Sequence, residues 1–334
     1  MSARADAPRI HHVANGTCTT RLIEAAGLPG TWSLWADPLH DGPVPGGLSD
    51  DELLELRARH LGAATADPAA DPVNDLVAWR AAIANHHAYD ELVLWFEHDL
   101  FDQLNLVQLL PWIRERVPSP ATVSLICIGS FPGHPAFKGL GELSPGELAP
   151  LFGARARVSH AQYALAAQAW DAFRASTPHA LDSLRHTDTS VLPFLAPAVT
   201  RFLQEYPWTN DGLSRTERRL LSLAASGPIE LAAVFPRMTE PGDVLHVTDL
   251  SLVDTASLLS AATPALLASS PANGSGAGPL GGTVALTEFG RDVLDGRADR
   301  VAMAGIDRWL GGVHLHGRTA WRWDDERQAM AGPR

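Results

Sequence analysis

Over residues 9 to 152, short bulky apolar runs alternate with longer segments in which apolar residues recur every three or four positions. The runs "RIHHVA" (9 to 14), "WSLWA" (32 to 36), "LVLWF" (92 to 96) and "VSLICIG" (123 to 129) predict strands buried on both faces. The segments near 17 to 27, 50 to 62, 73 to 87, 100 to 116 and 144 to 152 predict helices. Two of these open with capping boxes, Ser49 to Glu52 and Ser144 to Glu147, whose side chains satisfy free amides of the first turn. Strand and helix in alternation predict an α/β fold, so residues 9–155 are expected to form a Rossmann-like domain with a parallel sheet.

From 158 to 206 the pattern turns helical throughout, as in "AQYALAAQAWDAFRA", and predicts a helical connector over 156–207. A third capping box, Ser214 to Glu217, starts a helix expected to end at Gly227. More helix follows, and then "GGTVALTEFGRDVL" reads as a strand, a turn and a helix. This order predicts a winged-helix-like domain over 208–325. Within it, "ASSPANGSGAGPLGG" (268 to 282) shows no packing pattern and is expected to be a mobile loop. In the tail, "WLGGVHLHGRTAWRWDDE" predicts a closing strand pair. Its Trp309, Trp321 and Trp323 are expected to clasp another domain, and His314, His316 or Arg318 could wall the crevice of the first.

At 334 residues the chain exceeds what one core usually serves, and 46% hydrophobic with 19% charged residues is the balance of a folded protein. A net charge of -12 disfavours nucleic acid and anionic membrane as partners. The winged-helix segment repeats the bias: residues 208 to 300 carry seven arginines against eleven carboxylates, the wrong sign for tracking phosphates. No apolar run approaches the roughly 20 residues of a membrane span, and the first residues lack the apolar core of a signal peptide. With only Cys18 and Cys127 present, these features lead us to expect a cytoplasmic protein with free thiols.

In open parallel sheets, ligands bind beyond the carboxyl ends of the strands. Every predicted strand here is followed by a polar loop. The first leads into Asn15, Gly16 and Thr17, and the second into a proline-stiffened loop with Asp37, His40 and Asp41. The third leads into "EHDLFDQ", and the fourth into "SFPGHPAFKGLGEL" with Ser130, His134 and Lys138, the only lysine. In "EHDLFDQ" the adjacent charges divide their labour. Asp99 is placed to cap the helix that begins at Leu100, and Asp102 sits in its first turn, where the helix dipole favours an anion. Glu97 and His98 are left without a structural account.

A histidine beside carboxylates suits general acid or base chemistry. His98, Glu97 and Asp37 are therefore the catalytic candidates. Asn15, Gly16, His40, Asp41, Asp99, Gln103, Ser130, His134 and Lys138 are the candidates for binding substrate. No HxxxH, HxH or CxxC spacing offers two strong ligands on one element, so no metal site is expected. Cys18 in the first turn of a helix is a weak nucleophile candidate, and Ser130 lacks a nucleophile-elbow sequence.

The strings "HHVANG", "DPLHDGPVP", "LWFEHDLFDQLNLVQLL", "ICIGSFPGHPAFKGLGEL", "NDGLSRTERRLL" and "RWLGGVHLHGRTAWRWD" resemble a bacterial family known only as the domain of unknown function 1835. The likeness runs from about residue 10 to 325 and implies a shared architecture without an activity. Where similar proteins have Gly-Asp after the first strand, this chain has Gly16-Thr17. With no redox cofactor motif and no Walker-type loop, no cofactor is expected. The expected function is acid/base chemistry on a small polar or anionic molecule: hydrolysis, group transfer or elimination. A ligand-sensing winged-helix regulator and a non-catalytic interaction protein are the alternatives.

Overall fold

The computed structural model describes residues 8–65, 70–117, 122–240, 242–244, 247–271 and 279–334. The first of the predicted strands is β1 (Ile10–Ala14), followed by α1 (Thr17–Ala25), β2 (Thr31–Leu34), a two-residue β3 (Gly42–Pro43), α2 (Asp50–Ala64) and α3 (Pro72–Ala84). Then come β4 (Glu91–Glu97), α4 (Leu100–Arg116), β5 (Thr122–Ile128), α5 (Pro145–Gly153) and a short β6 (Ala156–Arg157). All of these strands but β3 form one sheet in the order β2-β1-β4-β5-β6; the first four are parallel and β6 is antiparallel.

The period of two along β4 explains its double burial. Leu92, Leu94 and Phe96 enter one core with Leu104 and Val107 of α4, whereas Val93 and Trp95 enter another with Ile23 of α1 and Leu148 of α5. Chain order along the sheet reverses at β1, which has β2 on one side and β4 on the other. Helices therefore leave β1 and β4 toward opposite faces, and a crevice opens between their carboxyl ends.

Both N-terminal capping boxes close as expected, at Ser49 with Glu52 and at Ser144 with Glu147. The helical segment consists of α6 (His160–Phe173), α7 (His179–Leu184) and α8 (Leu195–Leu203). Its Leu165, Phe173, Leu195 and Phe202 extend the core beneath β4.

Beyond it lie α9 (Arg215–Ala224), β7 (Ile229–Glu230), α10 (Leu231–Val234), α11 (Asp249–Ala261), β8 (Leu267–Ser270), β9 (Thr283–Leu286), α12 (Glu288–Leu294) and α13 (Arg300–Ala304). β7, β9 and β8 make a small antiparallel sheet over a separate core running from Leu213 to Val293. The expected loop from 268 is corrected here, because Ala268, Ser269 and Ser270 pair with Ala285, Val284 and Thr283. The strand escaped detection because those three residues are exposed, so it has no apolar alternation to read. The rest of that stretch, 272 to 278, lies outside the described residues.

The tail forms the hairpin β10 (Ile306–Gly311) and β11 (Val313–Gly317), then β12 (Arg322–Asp324) and β13 (Ala329–Ala331). β10 lies parallel to β3, and Leu310, Val313, Leu315 and the fully buried Trp323 belong to the core of the first sheet. His314 is exposed, bonded to Asp307 and stacked on Trp309; His316 and Arg318 are also exposed. No helix among the described residues is long and apolar enough to cross a membrane.

Candidate functional site

The carboxyl ends of β1 and β4 are tied together by side chains. Asn15, just past β1, donates through Nδ2 to Asp102 Oδ1 at 2.6 Å. The other oxygen of Asp102 accepts from the backbone amide of Glu97, the last residue of β4. Asp102 in turn is positioned by Asp99, which caps α4 by accepting from the Asp102 amide at 2.8 Å. Gln103 donates to the Glu97 carbonyl at 2.6 Å. Asn15, Glu97, Asp99, Asp102 and Gln103 thus form one connected network across the strand reversal.

The Glu97 side chain is 5% exposed and turns toward the loop after β5, where Oε1 accepts from the Leu140 amide at 2.6 Å. Burial is the main force on its ionisation. Reinforced by the negative charges of Asp99 and Glu142 and only partly offset by the Leu140 amide, it pushes the carboxyl up to about 8. Asp102, with no exposed surface, is also raised, again by burial first and then by Asp99 and Glu97. At neutral pH Glu97 is therefore a protonated acid that an active site can use as proton donor.

Room for that carboxyl depends on a missing side chain. A Cβ on Gly139 would overlap Glu97 Oε2. Gly139→Ala should therefore displace the carboxyl and cost about 1–3 kcal/mol as overpacking does. Urea unfolding of the single variants and of Gly139→Ala with Glu97→Ala checks this. The double variant should be less destabilised than the sum of the two singles.

His98 follows Glu97, with its ring stacked on Phe137 at 6.3 Å and edge-on to Phe194 at 6.1 Å. His40 lies edge-on to Phe101 at 6.2 Å, and its buried Nδ1 has no hydrogen-bond partner among the described residues. Burial lowers its pKa against the pull of Asp41, Asp99 and Glu205, so it is a neutral imidazole at pH 7.

The remaining candidates lie elsewhere. Both oxygens of Asp37 are engaged by Arg57 of α2, and its backbone is bonded both ways to the Asn105 amide. Asp41 is exposed and paired with His60, a bond that holds it at about 2. Gly16 is the extended N-cap of α1. Ser130 and Lys138 are exposed, and His134 bonds Glu147 on α5.

Several residues went unread in the sequence. Asp102 carries more than the first-turn role its position suggests, and its place as the third residue of a helix rich in buried positions gives no clear sign of it. Leu140, which contributes a backbone amide, offers no signal in its side chain. Gly139 had one: it stands in a "KGLG" turn with two glycines flanking an apolar residue.

The charge network continues into the C-terminal module. Arg201 of α8 bonds Glu205 at 2.5 Å and Asp243 at 2.9 Å, and Asp243 also pairs with Arg215. Next to it, the Val244 carbonyl accepts from the Leu100 amide, the first of α4. Val244 thus touches the same helix end that carries Asp99 and Asp102. Among the described residues no cluster of His, Cys, Asp and Glu is arranged to hold a metal ion. No protein-family model matches the chain, and no curated protein matches it.

Proposed function

We propose that the protein is an enzyme acting on a small molecule by acid/base, non-redox chemistry, in the range of hydrolysis, group transfer or elimination. The observation that carries this reading is a buried, protonated Glu97 at the point where the strand order reverses. In this reading Glu97 moves the proton and His98 serves as its partner. Asp102 and Asn15 hold the two strand ends at fixed separation, a positioning role. The parallel order β2-β1-β4-β5 supports a Rossmann-like assignment for the first domain. Asp37, with both oxygens on Arg57, fits a scaffold role better than proton transfer.

The test is turnover. Purified protein is incubated with fractionated small-molecule extract, and consumption of any compound is followed by mass spectrometry. Glu97→Gln should slow the consumption by roughly 10²–10⁴, the usual contribution of an acid/base group. A compound consumed equally fast by both proteins removes Glu97 from the chemistry and sinks the reading.

A second reading has one observation in its favour. The C-terminal module has helices α9, α10 and α11 followed by the β8–β9 hairpin, the order of a winged helix, and it touches the site through Val244. That arrangement suits a regulator whose first domain senses a ligand. Its charges argue against DNA: Arg215, Arg218 and Arg219 are each paired with carboxylates, namely Glu240 and Asp243, Asp211, and Glu240. Gel-shift binding that weakens steeply with salt would favour the regulator.

A further inference from the structure

The outer edge of β5 is only partly covered. β6 pairs with Ser124 and Leu125 and then departs, so among the described residues no strand lies beside Ile126, Cys127 and Ile128. Along this open edge runs a cavity of about 270 Å³, walled by Leu151, Ala154, Leu192 and Phe194 as well as the strand itself. That is just below the roughly 300–1,000 Å³ usual for small-molecule sites. Among the described residues no charged side chain lines it.

Two side-chain amides, Gln103 and Gln162, line this mostly apolar space, and Gln103 is the buried one. Gln103 lines the cavity and is 1% exposed. Its Nε2 donates to the Glu97 carbonyl at 2.6 Å and lies 3.5 Å from Cys127 Sγ. Because a carbonyl can only accept, the amide orientation is fixed. Its Oε1 has no donor bonded to it among the described residues, and the residue lines the cavity. An acceptor open to the cavity is matched by a ligand that brings an N–H.

The cavity is also placed for the chemistry. Ile128 pairs in register with Glu97, which puts the cavity about one strand spacing, roughly 5 Å, from β4. Phe194 lines the cavity and also packs edge-on against His98.

We infer that this cavity receives the apolar end of a neutral, amide-containing ligand: an N-acyl amino acid amide or similar peptide-like molecule with one aliphatic side chain. Three features select it. An open strand edge offers N–H and C=O groups at peptide spacing. The walls are mostly apolar, and Gln103 Oε1 accepts the ligand's N–H. The uncharged lining selects blocked termini over a free zwitterion. This inference rests on the reading of the sheet edge as a small-molecule site and names its substrate class.

The probe is N-acetyl-L-leucinamide, titrated into the full chain and followed by NMR and calorimetry. Ala154, exposed at the end of α5, lines the cavity, so Ala154→Trp fills it with little burden on folding, which circular dichroism checks. Saturable binding is expected in the wild type and in Glu97→Gln. It should weaken roughly tenfold or more in Ala154→Trp, and also in Gln103→Leu. Absence of saturable binding, or binding unchanged by Ala154→Trp, overturns the inference. So does isoamyl alcohol binding as tightly as the amide. Binding is read without turnover, so it persists where only the acid/base reading fails; turnover of some compound without probe binding overturns the cavity alone.

Discussion

Arg57→Ala should destabilise the protein by about 3–5 kcal/mol, the cost of breaking a buried ion pair from one side. The Arg57 side chain is 1% exposed and that of its partner Asp37 is 4% exposed. Its Nε lies 3.1 and 3.0 Å from the two Asp37 oxygens, Nη2 lies 2.6 Å from Oδ1, and Nη1 donates to the Asp41 carbonyl at 2.6 Å. Removing the guanidinium strands a buried carboxylate and the Asp41 carbonyl together. Against a total stability of about 5–15 kcal/mol for an ordinary domain, that loss approaches unfolding. The paired change Arg57→Met with Asp37→Leu should recover much of it, since no uncompensated charge remains. Urea unfolding of wild type, single and paired variants measures both effects. A cost near zero for Arg57→Ala would show that Asp37 does not depend on Arg57.

Glu97→Gln should have the opposite sign, and its effect should depend on pH. Burial raises the folded-state pKa of Glu97 to about 8, from the ordinary value of 4.5 that an unfolded chain retains. Between roughly pH 4.5 and 8 the folded chain therefore holds a proton that the unfolded chain has released, so stability falls as pH rises through that window. Above it, the wild type carries a cost on the order of a few kcal/mol for ionising a buried carboxyl. Glutamine keeps an oxygen for the Leu140 amide and never ionises. The variant should match the wild type near pH 5 and exceed it in stability at pH 8.5, by urea unfolding at both values. Under the proposed function, a group that destabilises its own fold is the familiar trade of function against stability.

These two residues also show what the sequence discloses. The parallel strands and the helix starts were legible because buried strands and capping boxes leave local patterns: Ser49 with Glu52 and Ser144 with Glu147 sit where the spacing puts them. Asp99 as the cap of α4 was legible for the same reason. Partners separated by long stretches of chain were not. Asp37 read as a free carboxylate in a polar loop, because its partner lies twenty residues on. A trace of that partner existed: Arg57 stands with Leu53, Leu54 and Ala58 on the buried stripe of α2, an arginine where an apolar residue belongs. β6 left no trace, being two exposed residues defined only by their pairing. Asn15 and Glu97 were both legible as strand-end polar residues. Their connection through Asp102 was not, because it arises only when strand order places β1 beside β4.

The account rests on Glu97 being a neutral acid in the folded protein at pH 7. The direct measurement is a ¹³C NMR titration of the glutamate side-chain carboxyl carbons, with the Glu97 signal assigned by its absence in Glu97→Gln. A midpoint near 8 is expected for Glu97. A Glu97 midpoint at the ordinary value near 4.5 would contradict it.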